Sequence, residues 1–476
     1  MKRNSGFVGA MLVGAVTLSS CSMAPKLMMP DVPVAATYKE VAPWAPAQPA
    51  DGLSRGDWWT MFGDPELNAL QTRLLQHSPD LAAALARYHQ AKAYSDQLRS
   101  GLFPSLILGA NAQRDRQSDM RPLRGVGSPT NYNSFTVGVQ VDYELDLWGR
   151  IRNEVTAGRE QAGASAADLE SARLSLQAQL ADDYIVLRGL DSQIALLNET
   201  ASAYEKALAL TQTRHDGGIA SGLDVARAQT QLGTSRSLAA QTLALRAISE
   251  HAIAALIGES ASEFSIERRL EPIVLPDVPA GVPAALLQRR PDIAAAQRRV
   301  AASNASVGVA RAAFFPDITL SAAAGYQSTA LSSFITAPET FWAIGPSLLL
   351  DLFDAGKRKA QVAQAQATLD EAGSVYRGVV LSAFQQVEDG LALADYDRTA
   401  ATEEHSAMTA AERSLAFSLS QYREGEVSYL EVVTSQTVTL QTQLDSLNLD
   451  TRELRARVQL IRALGGGWTS AQSPSS

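Results

Sequence analysis

From Phe135 to Leu147 every odd position is apolar and every even one is polar or glycine, the two-residue period of a strand. Trp148-Gly149-Arg150 then leads without a break into a helical pattern that reaches His215, roughly 65 residues and on the order of 100 Å if unbroken. No globular core is that deep. The same transition recurs where Phe341 to Phe353 passes through Asp354-Ala355-Gly356-Lys357 into another long helix. The fold must therefore accommodate two strands that each continue as a very long helix.

The recurrence extends well beyond that joint. Ser78-Pro79-Asp80-Leu81 and Arg290-Pro291-Asp292-Ile293 each open a helix, and the helices end alike at Gly101-Leu102-Phe103-Pro104 and Ala313-Phe314-Phe315-Pro316. An alternating strand follows each proline, then a polar loop, the second strand, the long helix, a turn and a returning helix. The turns are Arg214-His215-Asp216-Gly217-Gly218-Ile219-Ala220-Ser221 and Gln421-Tyr422-Arg423-Glu424-Gly425-Glu426-Val427-Ser428. The pattern predicts a duplication: residues 57–270 and 284–468 are the repeats, with a proline-rich linker at 271–283 and a tail at 469–476. In the first repeat it predicts strands at 105–115 and 135–147 and long helices at 150–215 and 221–257. In the second it predicts strands at 317–328 and 341–353 and long helices at 355–423 and 428–464.

Composition narrows the use of these elements. Only 6% of residues are aromatic, and Ala, Leu, Gln, Arg and Glu dominate long segments, a balance closer to packed long helices than to an enzyme. With 41 Lys plus Arg against 50 Asp plus Glu, the net charge of −9 leaves no basic stripe for nucleic acid. Histidines 77, 89, 215, 251 and 405 are scattered without metal-ligand spacing, and neither a Gly-x-Ser-x-Gly elbow nor a phosphate-binding Gly-Lys-Ser/Thr loop is present. No catalytic residue, metal or cofactor is expected.

At the N-terminus Lys2 and Arg3 precede the apolar run Phe7 to Leu18, a signal-peptide core over 1–20. Leu18-Ser19-Ser20-Cys21 follows, and Cys21 is the single cysteine, so a disulfide within the chain is impossible. The tetrapeptide resembles a bacterial lipobox, which implies acylation of Cys21. Ser22 rather than Asp comes next, which in that family implies export to the outer membrane. Residues 21–56 are rich in Pro and Ala and read as the anchor and an extended tether. Beyond it Asp64 can cap a helix whose first position is Pro65. Trp58-Trp59 serve either as a packing wedge for the chain end or as a substrate platform.

Each predicted strand is about 11 to 13 residues, enough to cross an outer membrane when tilted. Four strands leave two edges that lipid does not tolerate, so closure demands further copies, and three chains giving twelve strands is the smallest comfortable solution with a wet lumen. On the polar face of 135–147 lie Asp142, Glu144 and Asp146. These either ring the lumen and favour cations or, for Asp146 equally, hydrogen-bond neighbouring helices below the membrane.

Taken together, the lipobox, Phe62-Gly63-Asp64-Pro65-Glu66-Leu67, Tyr143-Glu144-Leu145-Asp146-Leu147-Trp148-Gly149-Arg150, Arg289-Arg290-Pro291-Asp292-Ile293, Phe315-Pro316 and Ala463-Leu464-Gly465-Gly466-Gly467-Trp468 resemble the TolC-like outer-membrane factors, lipoprotein branch. The resemblance covers essentially the whole mature chain. It implies a mostly helical protein with membrane β-strands. A trimer forms a twelve-stranded outer-membrane barrel continued by a periplasmic helical barrel. Its partners would be a periplasmic adaptor, an inner-membrane pump of the RND type and outer-membrane lipid. The duct would be a passive exit for drugs or other small toxic solutes. The resemblance further implies a periplasmic gate at Asp224, Tyr422 and Glu431, and adaptor-contact tips at Gly217, Gly218, Arg423 and Gly425. Val427 stands where some members carry a gate-tying arginine, and Thr434 where a second acid ring occurs. Arg423 or Arg214 can substitute for that arginine or serve as surface charge or adaptor contact. The rival readings are a protein-secretion duct and a structural envelope tether; the tether leaves the strands unexplained.

Overall fold

The computed structural model describes residues 22–32, 39, 56–120, 125, 127–276 and 290–466. Cys21, the signal segment, most of the tether, part of the linker, Gly467 and Trp468 lie outside the described residues. After a 3-10 turn at Trp58–Phe62 the elements are α1 (Pro65–His77), α2 (Pro79–Ser100), β1 (Ser105–Arg116), β2 (Asn131–Glu144), α3 (Arg150–Asp216) and α4 (Gly222–Leu256). The second half continues with α5 (Pro291–Ala312), β3 (Asp317–Ser328), β4 (Thr340–Leu349), α6 (Lys357–Glu424) and α7 (Tyr429–Ala463). The order α2-β1-β2-α3-α4 thus recurs as α5-β3-β4-α6-α7. Helices α3 and α6 run for 67 and 68 residues, and α4 and α7 for 35 each.

The chain divides into two compact units. One comprises Tyr88–Ser165, Ala295–Tyr376 and the N-terminal residues to Pro30; the other comprises Asp31–Arg87, Ala166–Ala294 and Arg377–Ser476. The first unit holds an antiparallel sheet in the order β1-β2-β3-β4. Strand β1 pairs only with β2 and β4 only with β3, so both outer strands present an unpaired edge within the protomer.

Three strand ends differ from the expectations of the sequence by three or four residues. β3 begins at Asp317, directly after Pro316, so the strands beside it run out of partners at that level. Leu349 is the last β4 residue to pair, opposite Asp317, and residues 350–353 continue unpaired. β2 ends at Glu144 rather than 147, because after Leu145 donates to the Ile318 carbonyl the chain turns so that Asp146 can cap α3. At its other end β2 starts at Asn131, since the polar residues Asn131 to Ser134 pair with Arg116 to Gln113.

In the second unit Asp64 accepts from the Glu66 and Leu67 amides at 2.8 and 3.0 Å, and Pro65 opens α1. Trp58, Trp59 and Phe62 are buried, with the Trp58 ring edge-on to both neighbours, so the paired tryptophans pack the chain end rather than face solvent. Leu174, Ala178, Ala181 and Ile185, spaced by four, three and four, form a buried stripe on α3.

Candidate functional site

The sheet of the first unit has two chemically opposite faces. Register places Leu106, Val141, Ala322 and Ile344 across one level, and Leu108, Val139, Ala324 and Trp342 across the next on the same face. Leu106, Leu108, Trp342 and Ile344 are each more than half exposed, at 72%, 74%, 78% and 66%. An apolar sheet face left this open is incompatible with water and matches a lipid-facing surface. The opposite face carries Asn111, Gln113, Thr136, Gln140, Asp142, Glu144, Thr319, Ser321 and Ser347.

On that polar face Asp142 accepts from Ser321 Oγ at 2.7 Å and from Gln140 Nε2 at 2.8 Å. Glu144 takes a two-pronged contact from Arg150, at 2.9 and 2.5 Å, and Arg150 also reaches Glu154 at 2.7 Å. The Glu144 hydrogen bond raises the pKa of Arg150 against the opposing effect of burial. Asp146 has turned into the strand-to-helix joint: its carboxylate accepts from the Ile151 and Arg152 amides at 3.2 and 2.9 Å and from Arg152 Nε at 3.1 Å. That is the hydrogen-bonded role the sequence left open for it. The second joint is built on the same plan, with Asp354 accepting from the Gly356 and Arg358 amides and from the Arg358 guanidinium, which holds its pKa low. Trp148 seals the first joint by stacking on Phe315 and donating to the Pro316 carbonyl at 2.9 Å. The N-terminal segment lies along the same unit: Ser22 Oγ donates to Asn153 at 2.9 Å, and Asn304 Nδ2 donates to the Pro25 carbonyl at 2.9 Å.

The helix turns lie in the second unit. α3 stops because Gly218, at φ 74°, takes a left-handed conformation, while Ile219 N donates back to the Arg214 carbonyl at 2.7 Å. α6 stops the same way at Gly425, φ 84°, with Glu426 N donating to Gln421 at 2.9 Å. Beneath the turns Tyr422, Tyr429, Val432 and Ala228 form a buried cluster, closed by Leu208, Leu419, Val427 and Val433. The Tyr422 and Tyr429 rings are 5.2 Å apart. Burial, with a smaller contribution from Tyr422, pushes the Tyr429 hydroxyl up to about 12, so it stays protonated.

Arg214 joins the two turns. Its guanidinium lies 4.6 Å from the centroid of the Tyr422 ring and donates to the Tyr422 carbonyl at 2.6 Å. Val427, the site of a missing arginine in the sequence comparison, packs into the apolar cluster instead, and the cation comes from the other turn. Asp224 is drawn into a capping box with Ser221 and a 3.5 Å contact to Arg227. Glu431 stands exposed in the first turn of α7 and is not part of the cluster, and Arg423, Gly217 and Gly218 are exposed.

One constellation in the second unit went unread in the sequence. The Asp191 carboxylate is wholly inaccessible and sits between Arg188, at 2.9 Å, and Arg246, at 2.7 Å. Arg188 also donates to Tyr184 Oη, Glu66 and the Glu267 carbonyl, and Arg246 to the Ile266 carbonyl. The ion pairs and hydrogen bonds tie α1, α3, α4 and the segment after α4 together. The only hint in the sequence is Arg188 and Asp191 at helical spacing within an apolar stretch.

Residues 70–259 and 282–466 match the family described as outer membrane efflux protein. The chain is 31% identical over 476 residues to outer membrane protein OprJ of Pseudomonas aeruginosa, covering 99% of this chain and 98% of that one. It is 31% identical over 461 residues to the toluene efflux pump outer membrane protein TtgC of Pseudomonas putida, covering 96% and 95%. Among solved structures, the outer-membrane channel OprN superposes with a TM-score of 0.85 at 30% identity, over 94% of this chain and all of that one.

Proposed function

Because the chain belongs to the outer membrane efflux protein family, we propose that three copies of it close a single twelve-stranded barrel, continued by long helices into the periplasm. The protein is an outer-membrane efflux channel of the kind that serves tripartite pumps. The observation that carries the trimer is the sheet: an exposed apolar face, a polar face and two unpaired edges. In hydrocarbon each unpaired backbone group costs several kcal/mol, so β4 of one protomer pairs with β1 of the next until the ring closes.

The polar face then lines the lumen, and Asp142 and Glu144 give it a cation preference, with Asp146 at its periplasmic rim. The turns meet the periplasmic adaptor through Gly217, Gly218, Arg423 and Gly425. Tyr422 and Glu431 close the pore there, with Asp224 stiffening the turn. An inner-membrane pump of the RND type supplies direction and energy, so the duct itself does no chemistry. Cys21 carries the lipid; the seating of Ser22 against the first turn of α3, next to the strand-to-helix joint, supports an anchor at the membrane surface. The cargo class is small organic solutes, of the kind of the toluene for which TtgC is named.

Accumulation of dyes, bile salts, antibiotics and aromatic acids in a deletion strain tests the reading. Raised accumulation, reversed by the wild-type gene, is expected. Unchanged accumulation across the panel, with the protein present in the outer membrane, overturns it.

A further inference from the structure

On the mainly polar sheet face one aromatic side chain lies over a row of glycines. At a single level the register runs Gly109, Gly138, Gly325, Phe341 across all four strands. Phe341 shares that face with one other described strand aromatic, Tyr132 near the far end of β2, and on its own side of the sheet the positions beside it are small: Ala323 pairs with Ala343 one level away, and Gly345 lies beyond. The ring reaches back over its partner strand. A Cβ built on Gly138 would stand 3.2 Å from Phe341 Cζ and 3.0 Å from the Ala324 carbonyl oxygen, so the ring tip occupies the space a side chain at 138 would take. Above Gly109 and Gly345 nothing lies within 4 Å of such a Cβ. One part of the ring therefore rests on bare backbone, with open space on either side along the face.

From this geometry we infer that Phe341 and its glycine floor form a stacking platform for aromatic cations on the lumenal surface. A ring lying across backbone leaves the bore wide while offering a π-surface, and π-surfaces attract both rings and cations. The carboxylate of Asp142 on the same face attracts positive charge to that surface. Much of the rest of the face offers hydrogen-bonding groups, with Ile107 and Leu349 as exposed aliphatic exceptions that present no π-surface. The platform thus lets an amphiphilic cation exchange water for an aromatic contact lying on backbone. The inference rests on the proposal that this face lines the channel.

The test uses the full-length protein in detergent, with tetraphenylphosphonium as the aromatic probe, tetramethylammonium as a cation without rings, and equilibrium dialysis at low salt. Phe341→Ala should weaken tetraphenylphosphonium binding about fivefold and tetramethylammonium, which can make only the cation–π contact, distinctly less, while Phe341→Tyr should stay within about twofold of wild type. Gly138→Ala, which displaces the ring without removing it, should reproduce the loss. Equal tetraphenylphosphonium affinity in wild type and Phe341→Ala overturns the platform, as does a parallel loss of tetramethylammonium. A separate measurement isolates the premise: in membranes Phe341→Cys should react with an impermeant, water-soluble thiol reagent. Failure to react overturns the lumenal assignment itself, whatever the binding result.

Discussion

Removing the Arg214 guanidinium should open the channel. This side chain connects the turn after α3 to the turn after α6 by a 2.6 Å hydrogen bond to the Tyr422 carbonyl and by stacking 4.6 Å from the Tyr422 ring. A hydrogen bond from a charged donor contributes about 1.5–3 kcal/mol when buried, and about 1 kcal/mol at this half-exposed site. The cation–π contact adds about 0.5–1 kcal/mol. Arg214→Ala therefore weakens the closed arrangement by about 1.5–2 kcal/mol per protomer, a shift of about 10- to 30-fold in each protomer's opening equilibrium. Arg214→Lys keeps the charge but loses the planar stack and should fall between. The assay is open probability in planar bilayers, alongside entry of an antibiotic too large for porins into cells that carry the variant. The Tyr422 hydroxyl is buried without a hydrogen-bond partner among the described residues, so Tyr422→Phe should leave the pore as closed as wild type. Unchanged open probability in Arg214→Ala would refute the latch, and a leaky Tyr422→Phe would show that the hydroxyl rather than the arginine holds it.

Other perturbations test the remaining architecture. Asp191→Ala removes the carboxylate shared by the buried Arg188 and Arg246, leaving each with one remaining carboxylate partner, Glu66 and Glu250 respectively, and should cost about 3 kcal/mol, read as a large drop in Tm; a loss below about 1 kcal/mol would mean the network is dispensable. Burial, then the neighbouring Asp182, raises the Asp183 carboxyl to about 6, against a smaller opposing pull from Arg455. Its neutral form is thus favoured by folding: the stabilising contribution is complete below the ordinary carboxylate pKa and is lost as pH rises through about 6. Asp183→Asn should accordingly raise stability by about 1 kcal/mol at pH 7.5 and change nothing at pH 3, and an equal gain at both pH values would exclude titration as the cause. Gly425→Val places a β-branched residue at φ 84° and should abolish efflux at normal protein level; full efflux would show that this turn does not need its left-handed geometry.

Where the chain repeats itself, the sequence was easy to read. The duplicated Pro-Asp openings, Phe-Pro strand starts and glycine turns mark nearly every element, because caps and turns are written in a few neighbouring residues. Strand ends were harder: the limit of β4 at Leu349 is set by where β3 begins after Pro316, a partner distant in sequence. For the same reason the sequence offers Arg214 as a substitute tie but does not settle the contact. Its two residues lie 208 apart, one in each repeat, and an arginine next to a helix end looks like surface charge. Asp191 looked ordinary too, since only packing from α4 and from the segment after it turns an acid on a long helix into a buried hub.

The repeats also explain why the two turns divide their labour. Asp224 and Glu431 occupy matching positions, yet Asp224 is consumed by a capping box because its amide donates to Ser221 Oγ at 3.2 Å while its carboxylate accepts from the Ser221 amide. Ser428, the counterpart of Ser221, makes no such side-chain cap, and Glu431 is left exposed. A reciprocal cap contributes about 1 kcal/mol and fixes the start of α4, so the first turn is the stiffer of the pair. The second turn keeps a free carboxylate and is tied down by a cation lent from the first. If these turns form the proposed gate, α6 and α7 should swing while α3 and α4 stand still. Ser221→Ala should therefore loosen the first turn and speed its amide exchange without opening the pore. If it opened the pore as far as Arg214→Ala does, the two turns would move as one body and this division would be wrong.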